Sequence, residues 1–444
     1  MSKKIVFIGA GSVVFTRNLV RDLLTYPAFA DATIALVDIN PKALALAKAA
    51  VDKIVEVGKY PAKVIATLER KEVLEGADGV ITTIAVDNPE AMYADIAIPG
   101  EFGVSINVGD TRGPSGIFRF LRTMPDMVAI IKDIEIMCPD AIFLNYTNPM
   151  AMLCRMMQEI APSVRTSGLC HSVQGTAKML AGWIGADMAD IDYVCAGVNH
   201  QAFYIDYKWK GKDAYPLLKE AIKKPEIFNE EQVRNEMFRH LDYYVTESSG
   251  HNSEYNAWFR KRPELIEEFC THGTGWNPGH DLVARMKVHG DGWRVDRREV
   301  EFNKWIQGDI DLNRGLEYSA SIFNAVFGDL TTFEFNGNVR NWNLIENLPY
   351  GCCVEVPVIA NRRGLTPMHV GELPPQLSLL IDTTAQCEEL AVQGAMEGDP
   401  RKIFQACLFD PLTAAVCSMQ EIQNMVDKLF ASQADCLPQF KHLT

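Results

Sequence analysis

Two residues of this sequence have side chains and positions suited to binding a transition metal. Cys170 follows a short apolar segment at 167–169, and His200 follows a predicted strand over 193–198. A thiolate and an imidazole at two strand ends can bind a divalent transition ion. Two ligands are fewer than the four of a closed structural zinc site, which would leave open positions for substrate oxygens. The alternative is that both are core residues, a buried thiol and a hydrogen-bonded histidine.

A glycine-rich turn near the start of the chain is typical of dinucleotide binding. An apolar, β-branched strand is predicted over 4–9, followed by the turn and then by a helix. Glycines at such a turn let the backbone approach a pyrophosphate, and the helix N-terminus offers N–H groups and a positive dipole. Asp38 ends the second predicted strand, at 33–38, where its carboxylate can bind a ribose diol and repel a 2′-phosphate. The pattern therefore predicts NAD, although valine replaces the third glycine and Asp38 lies further along than usual.

Polar residues also follow the next two predicted strands, at 77–86 and 140–146. They occupy 87–89 and 147–150, and a glycine-bounded polar loop lies between them at 107–114. Ligands of an open α/β sheet bind outside the carboxyl ends of its strands. Each cluster alone is a common turn, but three at one edge favour a ligand site. The cofactor contacts that we predict are Gly9, Gly11, Ser12, Asp38, Asn40, Val86 and Asn145.

The order of the predicted elements indicates an α/β protein. Strands alternate with helices over the first part of the chain, which predicts a doubly wound parallel sheet of Rossmann type. Beyond about residue 165 neighbouring strands appear at 193–198 and 202–208, then at 333–339 and 352–359, and the tail is largely helical. We expect an NAD-binding domain over 1–195 and an α+β domain for metal and substrate over 196–444.

Composition excludes several classes of protein. The 444 residues carry a formal net charge of −14, which argues against a wide surface for nucleic acid or anionic membrane. The N-terminus lacks the apolar region of a signal peptide, and no segment approaches the roughly 20 apolar residues of a membrane span. Eleven cysteines contain no CxxC pair, so we expect reduced thiols in a cytoplasm.

Several longer motifs, taken in order, resemble glycoside hydrolase family four over nearly the whole chain, with the closest likeness to its melibiase-type α-galactosidases. They are FIGAGS at 7–12, GDTRGPSG at 109–116, NYTNPMAM at 145–152, GLCHSVQGTA at 168–177, CAGVNHQAFY at 195–204, TESSGHNSEY at 246–255, NGNVRN at 336–341 and IENLPYGCCVEVP at 345–357. The resemblance implies a Rossmann domain followed by a domain like that of lactate and malate dehydrogenases. It also implies NAD and a divalent metal, usually Mn²⁺.

The family's reaction is a redox-assisted elimination. The resemblance implies that the sugar is oxidised at C3, loses its C2 proton to a base, expels the C1 substituent, adds water and is reduced again. Family four is an exception to hydrolysis by two carboxylates.

The same resemblance assigns roles to individual residues. Cys170 and His200 match the metal ligands, Asn148 matches a substrate-binding asparagine, and Asp110 lies where the family has an acid near the base. His171 occupies the position of the general-acid aspartate of the phospho-glycosidases, which argues against a 6-phospho-sugar. We take His171 as the acid, with Asp110 and Glu254 as alternatives. Further predicted substrate contacts are Asn107 and Arg340, and the arginines that could pair a carboxylate are Arg112, Arg119, Arg294 and Arg340.

Tyr255 is our predicted base, with Tyr243 and Tyr244 as alternatives. The predicted activity is hydrolysis of unphosphorylated α-galactosides such as melibiose. An α-glucosidase or α-galacturonidase of the same family, an NAD-dependent hydroxy-acid dehydrogenase and a non-catalytic NAD sensor are the alternatives. The resemblance also implies a homodimer or homotetramer.

Overall fold

The strands of the described residues join into one sheet. A computed structural model describes residues 2–86, 88–271, 293–329 and 331–443, without the side chains of 293–298 and 441–443. The order across the sheet is β3-β2-β1-β4-β5-β6-β10-β11-β7-β8-β9, and β12 pairs with β11. The strands are β1 Lys4–Ile8, β2 Thr33–Val37, β3 Lys63–Thr67, β4 Gly79–Thr82, β5 Ile142–Asn145, β6 Arg165–Gly168, β7 Ile191–Val198, β8 Gln201–Trp209, β9 Lys212–Asp213, β10 Phe333–Arg340, β11 Cys353–Asn361 and β12 Gly364–Pro367.

The first six strands are parallel, and helices connect them in the doubly wound manner. The remaining strands pair antiparallel, and β10 joins the two parts because Asn338 lies opposite Gly168 of β6. The mixed α/β architecture with an N-terminal parallel sheet confirms the predicted fold class.

The helices of the described residues lie on both faces of the sheet. They are α1 Val13–Leu24, α2 Pro41–Gly58, α3 Lys71–Leu74, α4 Pro89–Glu101, α5 Gly113–Met137, α6 Met150–Ile160, α7 Ser172–Ile184, α8 Tyr215–Ala221, α9 Pro225–Glu230, α10 Gln232–Leu241, α11 Ser249–Tyr255, α12 Pro263–Phe269, α13 Trp293–Ile306, α14 Ser319–Phe327, α15 Pro375–Glu397, α16 Pro400–Phe409, α17 Pro411–Val416 and α18 Met419–Ser432. Short 3₁₀ helices span Pro27–Phe29, Met188–Asp190, Ala434–Cys436 and Pro438–Leu443.

Side-chain alternation along the parallel strands explains why their sequences are continuously apolar. Ile5 and Phe7 of β1 enter one buried cluster, with α1, α2 and α14, whereas Val6 and Ile8 enter another, with α5, α6 and the C-terminal helices. Both faces are therefore covered. Among the described residues, no helix combines the length and apolar character needed to cross a membrane.

Two features were not predicted from the sequence. Residues 167–169 are interpreted from the sequence as a short apolar turn, whereas Arg165–Gly168 forms β6 and pairs fully with β5, although Arg-Thr-Ser-Gly lacks the apolar run of a buried strand. The α+β part also continues the sheet of the Rossmann part through β10. Pairing with long-range partners decides both features, and local sequence does not carry that information.

Candidate functional site

Three of the predicted site residues, Cys170, His200 and Tyr255, lie beyond the carboxyl ends of β6 and β7 and on the short helix α11. Cys170 lies two residues beyond the end of β6, and His200 lies in the tight connection from β7 to β8. His200 and Glu247 both have left-handed backbone conformations, with φ of 65° and 64°. Such conformations are uncommon for residues other than glycine and concentrate at functional sites, where the surrounding structure must hold them.

Cys170, His200 and Glu247 form a set of possible metal ligands. One ligand atom from each lies within 4.8 Å of the others, and Nε2 of His200 is 3.6 Å from Oε2 of Glu247. A thiolate, an imidazole and a carboxylate suit a divalent transition ion, so the residues fit the metal that the motifs imply. Sequence reasoning missed Glu247, although it lies in the motif that contains Tyr255. A lone carboxylate before a helix carries no spacing signal.

Burial and the carboxylate of Glu247 determine the protonation of His200 and Cys170 in the metal-free protein. Burial lowers the pKa of His200 to about 4, against the opposing effect of Glu247, so its imidazole is neutral and able to bind a metal. Burial, and then the nearby carboxylate of Glu247, raise the pKa of the Cys170 thiol. Metal binding at neutral pH must therefore displace the thiol proton.

His251 lies between two carboxylates. Its Nδ1 is 3.3 Å from Oε1 of Glu247, and its Nε2 is 3.4 Å from Oδ1 of Asp110. Although burial opposes the charge, Glu247 and Asp110 raise the pKa of His251 to about 9. Burial opposes ionisation of Asp110 as well, but the hydrogen bond and charge of His251 hold the pKa of Asp110 well below its usual value. Asp110 is thus an ionised group at neutral pH and a poor proton donor.

We expect His251 to make the stability of the metal-free protein pH-dependent. Its folded pKa of about 9 lies above the unfolded value, so its contribution is complete below about pH 6.5 and is lost as pH rises through 9. The shift corresponds to about 3 kcal/mol of unfolding free energy. Urea unfolding in the presence of a chelator at pH 6.5 and 9.5 measures the loss. His251→Gln should flatten the decline, and an unchanged decline in that variant would contradict the assignment.

Tyr255 contacts the metal-ligand set directly. Its hydroxyl is 3.2 Å from Nδ1 of His200, its side chain is 1% exposed, and the guanidinium of Arg112 lies 4.6 Å above its ring. Thr111 Oγ1 shares the same His200 nitrogen at 3.1 Å. Burial raises the pKa of Tyr255 well above its usual value, and the charge of Arg112 acts in the opposite direction.

The alternative tyrosines lie outside this cluster. The hydroxyl of Tyr244 donates to Oδ1 of Asn235 at 3.1 Å, inside a separate aromatic cluster. Tyr243 is half-buried and packs edge-on against Tyr215. Neither is placed beside His200.

Glu254 supports the site without facing it as an acid. Its carboxylate accepts hydrogen bonds from the backbone N–H groups of Asn107, Val108 and Gly109 at 2.7, 2.8 and 2.9 Å. It therefore fixes the loop that carries Asn107 and Asp110.

His171, in contrast, is exposed at the start of α7, beside Phe15. Burial opposes ionisation of Glu247, but the nearby histidines His251, His200 and His171 lower its pKa.

The glycine-rich turn has the geometry of a nucleotide cradle. Gly9 has a φ of 85°, and a Cβ there would lie 2.8 Å from the backbone of Thr83 and Ile84. The N–H of Gly11 donates to Oδ2 of Asp38 at 2.7 Å, so the predicted ribose-binding acid also ties the turn to β2. The turn leads into α1 through Ser12, whose hydroxyl does not cap the helix.

Two predicted cofactor contacts have their side chains occupied by the protein. Asn40 caps α2, because its Oδ1 accepts from the N–H groups of Lys42 and Ala43. Asn145 is fully buried, its Oδ1 accepts from Thr82 Oγ1 at 2.8 Å, and its amide donates to the carbonyl of Thr147. Their side chains stabilise the turns after β2 and β5.

The remaining predictions divide between two places. Asn148 and Val86 line a small cleft with Arg119, and Asn148 Nδ2 is 3.5 Å from Oδ2 of Asp110. Arg340 is not brought to the cluster: it stacks 4.6 Å from the ring of Trp342 and reaches Glu159 at 3.5 Å, because the antiparallel direction of β10 carries it away from Cys170. Asp87 and the side chain of Arg294 lie outside the described part of the chain.

Comparisons with known proteins point to one family of enzymes. The family model described as "Family 4 glycosyl hydrolase" matches residues 4–186. The model described as "Family 4 glycosyl hydrolase C-terminal domain" matches residues 195–413. An α-galactosidase from Bacillus subtilis is 38% identical, covering 99% of this chain and 100% of that protein. An α-galactosidase from Rhizobium meliloti is 34% identical over 99% of this chain and 90% of that protein. Other relatives, at 30% identity and below, are named α-galacturonidase and α-glucosidase.

A solved structure shows the same fold across the whole chain. It is a 6-phospho-α-glucosidase from gut microorganisms in complex with NAD and Mn²⁺, with a TM-score of 0.80, 19% identity and 99% coverage of both chains. Full-length matches in sequence and fold, together with the two family descriptions, show that this chain belongs to family 4 of the glycosyl hydrolases.

Proposed function

We propose that this glycosidase is an α-galactosidase that hydrolyses unphosphorylated α-galactosides such as melibiose, with NAD and a divalent metal such as Mn²⁺. The main support is the position of the Tyr255 hydroxyl beside His200. His200 belongs, with Cys170 and Glu247, to the set of possible metal ligands. Cys170, His200 and Glu247 would hold the metal, and the turn at Gly9 and Gly11 would hold the dinucleotide. When bound, the two cofactors supply transient oxidation of the sugar at C3 and positive charge beside its reacting oxygens.

Tyr255 is the proposed base that removes the C2 proton. Nε2 of His200 faces Glu247, so with that nitrogen on the metal side Nδ1 carries the hydrogen. Nδ1–H then donates toward the Tyr255 oxygen, and this favours the phenolate. The Arg112 guanidinium above the ring adds to the same effect. His200 and Arg112 thus favour the charged form of this buried phenol, against burial and the negative charges of Asp110 and Glu254, which keep its pKa above the usual value in the metal-free protein.

His171 is the proposed acid for the leaving group. Asp110 is held ionised by His251, and both oxygens of Glu254 accept from backbone N–H groups even though burial raises the pKa of Glu254, so both side chains are engaged in contacts within the protein. His171 is exposed, so its imidazole is accessible to solvent, and histidine is a common general acid in enzymes. Asp110 instead orients Asn148, which we assign to the sugar with Asn107.

The named relatives favour galactosides. The two α-galactosidases described above are 38% and 34% identical to this chain, whereas an α-galacturonidase and an α-glucosidase are 30% and 27% identical. The domain division at 195, and assembly into a homodimer or homotetramer, remain proposals of the same family resemblance.

A panel of p-nitrophenyl glycosides tests the activity. The enzyme is first treated with a thiol reductant and a chelator and depleted of NAD. It should then cleave the α-galactoside only after both NAD⁺ and Mn²⁺ are added, without net NADH formation. Faster cleavage of the α-glucoside or α-galacturonide would correct the substrate. Net NADH accumulation would indicate a dehydrogenase, and full cleavage without either cofactor would refute the mechanism.

A further inference from the structure

A row of buried polar residues lies behind the proposed metal ligands. In the sheet register, Gly168 of β6 lies opposite Asn338 of β10, Asn338 opposite Glu355 of β11, and Glu355 opposite Gly197 of β7. β6 and β7 are the strands that lead to Cys170 and His200. Glu355 therefore lies in the strand pair that separates the two ligand-bearing loops, and its side chain is 0% exposed.

The carboxyl group of Glu355 has unused hydrogen-bonding capacity. Neither of its oxygens has a hydrogen-bond partner among the described residues, and the same holds for both amide atoms of Asn199 and for Oδ1 of Asn338. The two asparagines nevertheless face Glu355 closely enough to lower its pKa. Three buried side chains, those of Glu355, Asn199 and Asn338, thus lie together with five polar atoms that have no hydrogen-bond partner among the described residues.

Charge in this place disfavours a carboxylate. Burial and then the negative charge of Glu247 raise the pKa of Glu355 to about 8, against the asparagine amides and Arg112. Arg112 donates elsewhere, to Glu388 and to the backbone carbonyl of Asn199. The other titratable groups near Glu355 are Cys170, Cys195 and Tyr318, and the charge of an ionised Glu355 adds to burial in raising the pKa of each. An isolated buried carboxylate is costly and tends to take up a proton.

We propose that Glu355 carries a proton at neutral pH and positions His200 through Asn199. The protonated acid both donates and accepts, so it can pair with an asparagine oxygen and an amide N–H together, as a carboxylate cannot. Asn199 is then held at its backbone carbonyl by Arg112 and at its side chain by Glu355. This grip supports the left-handed backbone of the next residue, His200. The inference rests on the proposed metal-dependent function.

The test measures Mn²⁺ affinity of the full chain by the electron paramagnetic resonance signal of free Mn²⁺. Glu355→Gln copies the neutral form and should bind Mn²⁺ within about threefold of wild type, since second-layer losses reach 10-fold or more only when support is broken. Glu355→Asp keeps the acid but withdraws it from Asn199, and should lose about 10- to 100-fold in affinity. Glu334→Asp, at an exposed position of β10, is the control and should bind normally.

Asn199→Ala completes the test. It should weaken Mn²⁺ binding to a similar extent, and combining it with Glu355→Asp should add little, because both changes break one contact. Loss of affinity in Glu355→Gln, unchanged affinity in Glu355→Asp, or additive losses in the double variant would each overturn the proposal. Thermal unfolding of every variant identifies any that fail to fold. If the wild type itself binds no Mn²⁺, the proposed function fails and not this inference.

Discussion

Tyr255→Phe is expected to lower kcat for an α-galactoside by roughly 1000-fold, which lies within the range for loss of a general base. The change removes only the hydroxyl that lies 3.2 Å from His200 Nδ1, and leaves the ring under Arg112. Affinities for NAD and Mn²⁺ should stay within about threefold of wild type, since the ligand atoms are untouched. Steady-state rates, a cofactor titration and the isotope effect of a 2-deuterated substrate measure these outcomes. The isotope effect should grow, because proton removal becomes slower than every other step.

Tyr244→Phe is the matched control, since it removes a buried phenol hydroxyl eleven residues earlier in the chain. That hydroxyl donates to Asn235 in a different cluster, so its loss should cost about 1 kcal/mol of stability. Its kcat should remain that of wild type. Retention of most activity in Tyr255→Phe, with the control also active, would exclude Tyr255 as the base and direct attention to a solvent-derived base.

The strands that could be predicted are those whose local hydrophobic pattern identifies them. β1 and β2 are almost continuously apolar because both of their faces are covered, and β11 is apolar apart from Glu355 and its last residue, so the positions of all three follow from the sequence within one or two residues. β6 could not be found this way, because its four residues are polar or small and owe their conformation to pairing with β5 and β10.

The candidate site divides along a similar line. Cys170 and His200 could be proposed as ligands because each belongs to a distinctive motif and His200 also follows a predicted strand. Glu247 and His251 could not be assigned roles from the sequence. Their roles depend on contacts with residues far away in the chain: Glu247 contacts His200, and His251 contacts Asp110. Asn40 and Asn145 remain predicted cofactor contacts, and the structure shows that their side chains cap a helix and support a turn, which are roles that polar residues at strand ends can also have.

Cys170→Ser is expected to reduce Mn²⁺ affinity by at least about 100-fold, because it removes a first ligand, whereas loss of a supporting contact alone costs 10- to 100-fold. Serine keeps the size of the side chain but replaces a sulfur that can ionise with a hydroxyl that does not at neutral pH. Activity at limiting Mn²⁺ should therefore disappear, and excess metal should recover only part of it. The titration of free Mn²⁺ reports this directly, without reliance on turnover.

The other cysteines supply the control for this expectation. All eleven are unpaired and nine are buried, so a buried thiol by itself predicts nothing about metal binding. Cys407 is 0% exposed in the cluster of C-terminal helices, and Cys407→Ser should lose about 1–3 kcal/mol of stability while binding Mn²⁺ normally. Oxidation in air should likewise abolish Mn²⁺ binding in the wild type, and a thiol reductant should restore it while the sulfur has not passed the sulfenic stage. If Cys170→Ser bound Mn²⁺ as tightly as the wild type, sulfur ligation would be wrong, and His200 and Glu247 would have to hold the ion without it.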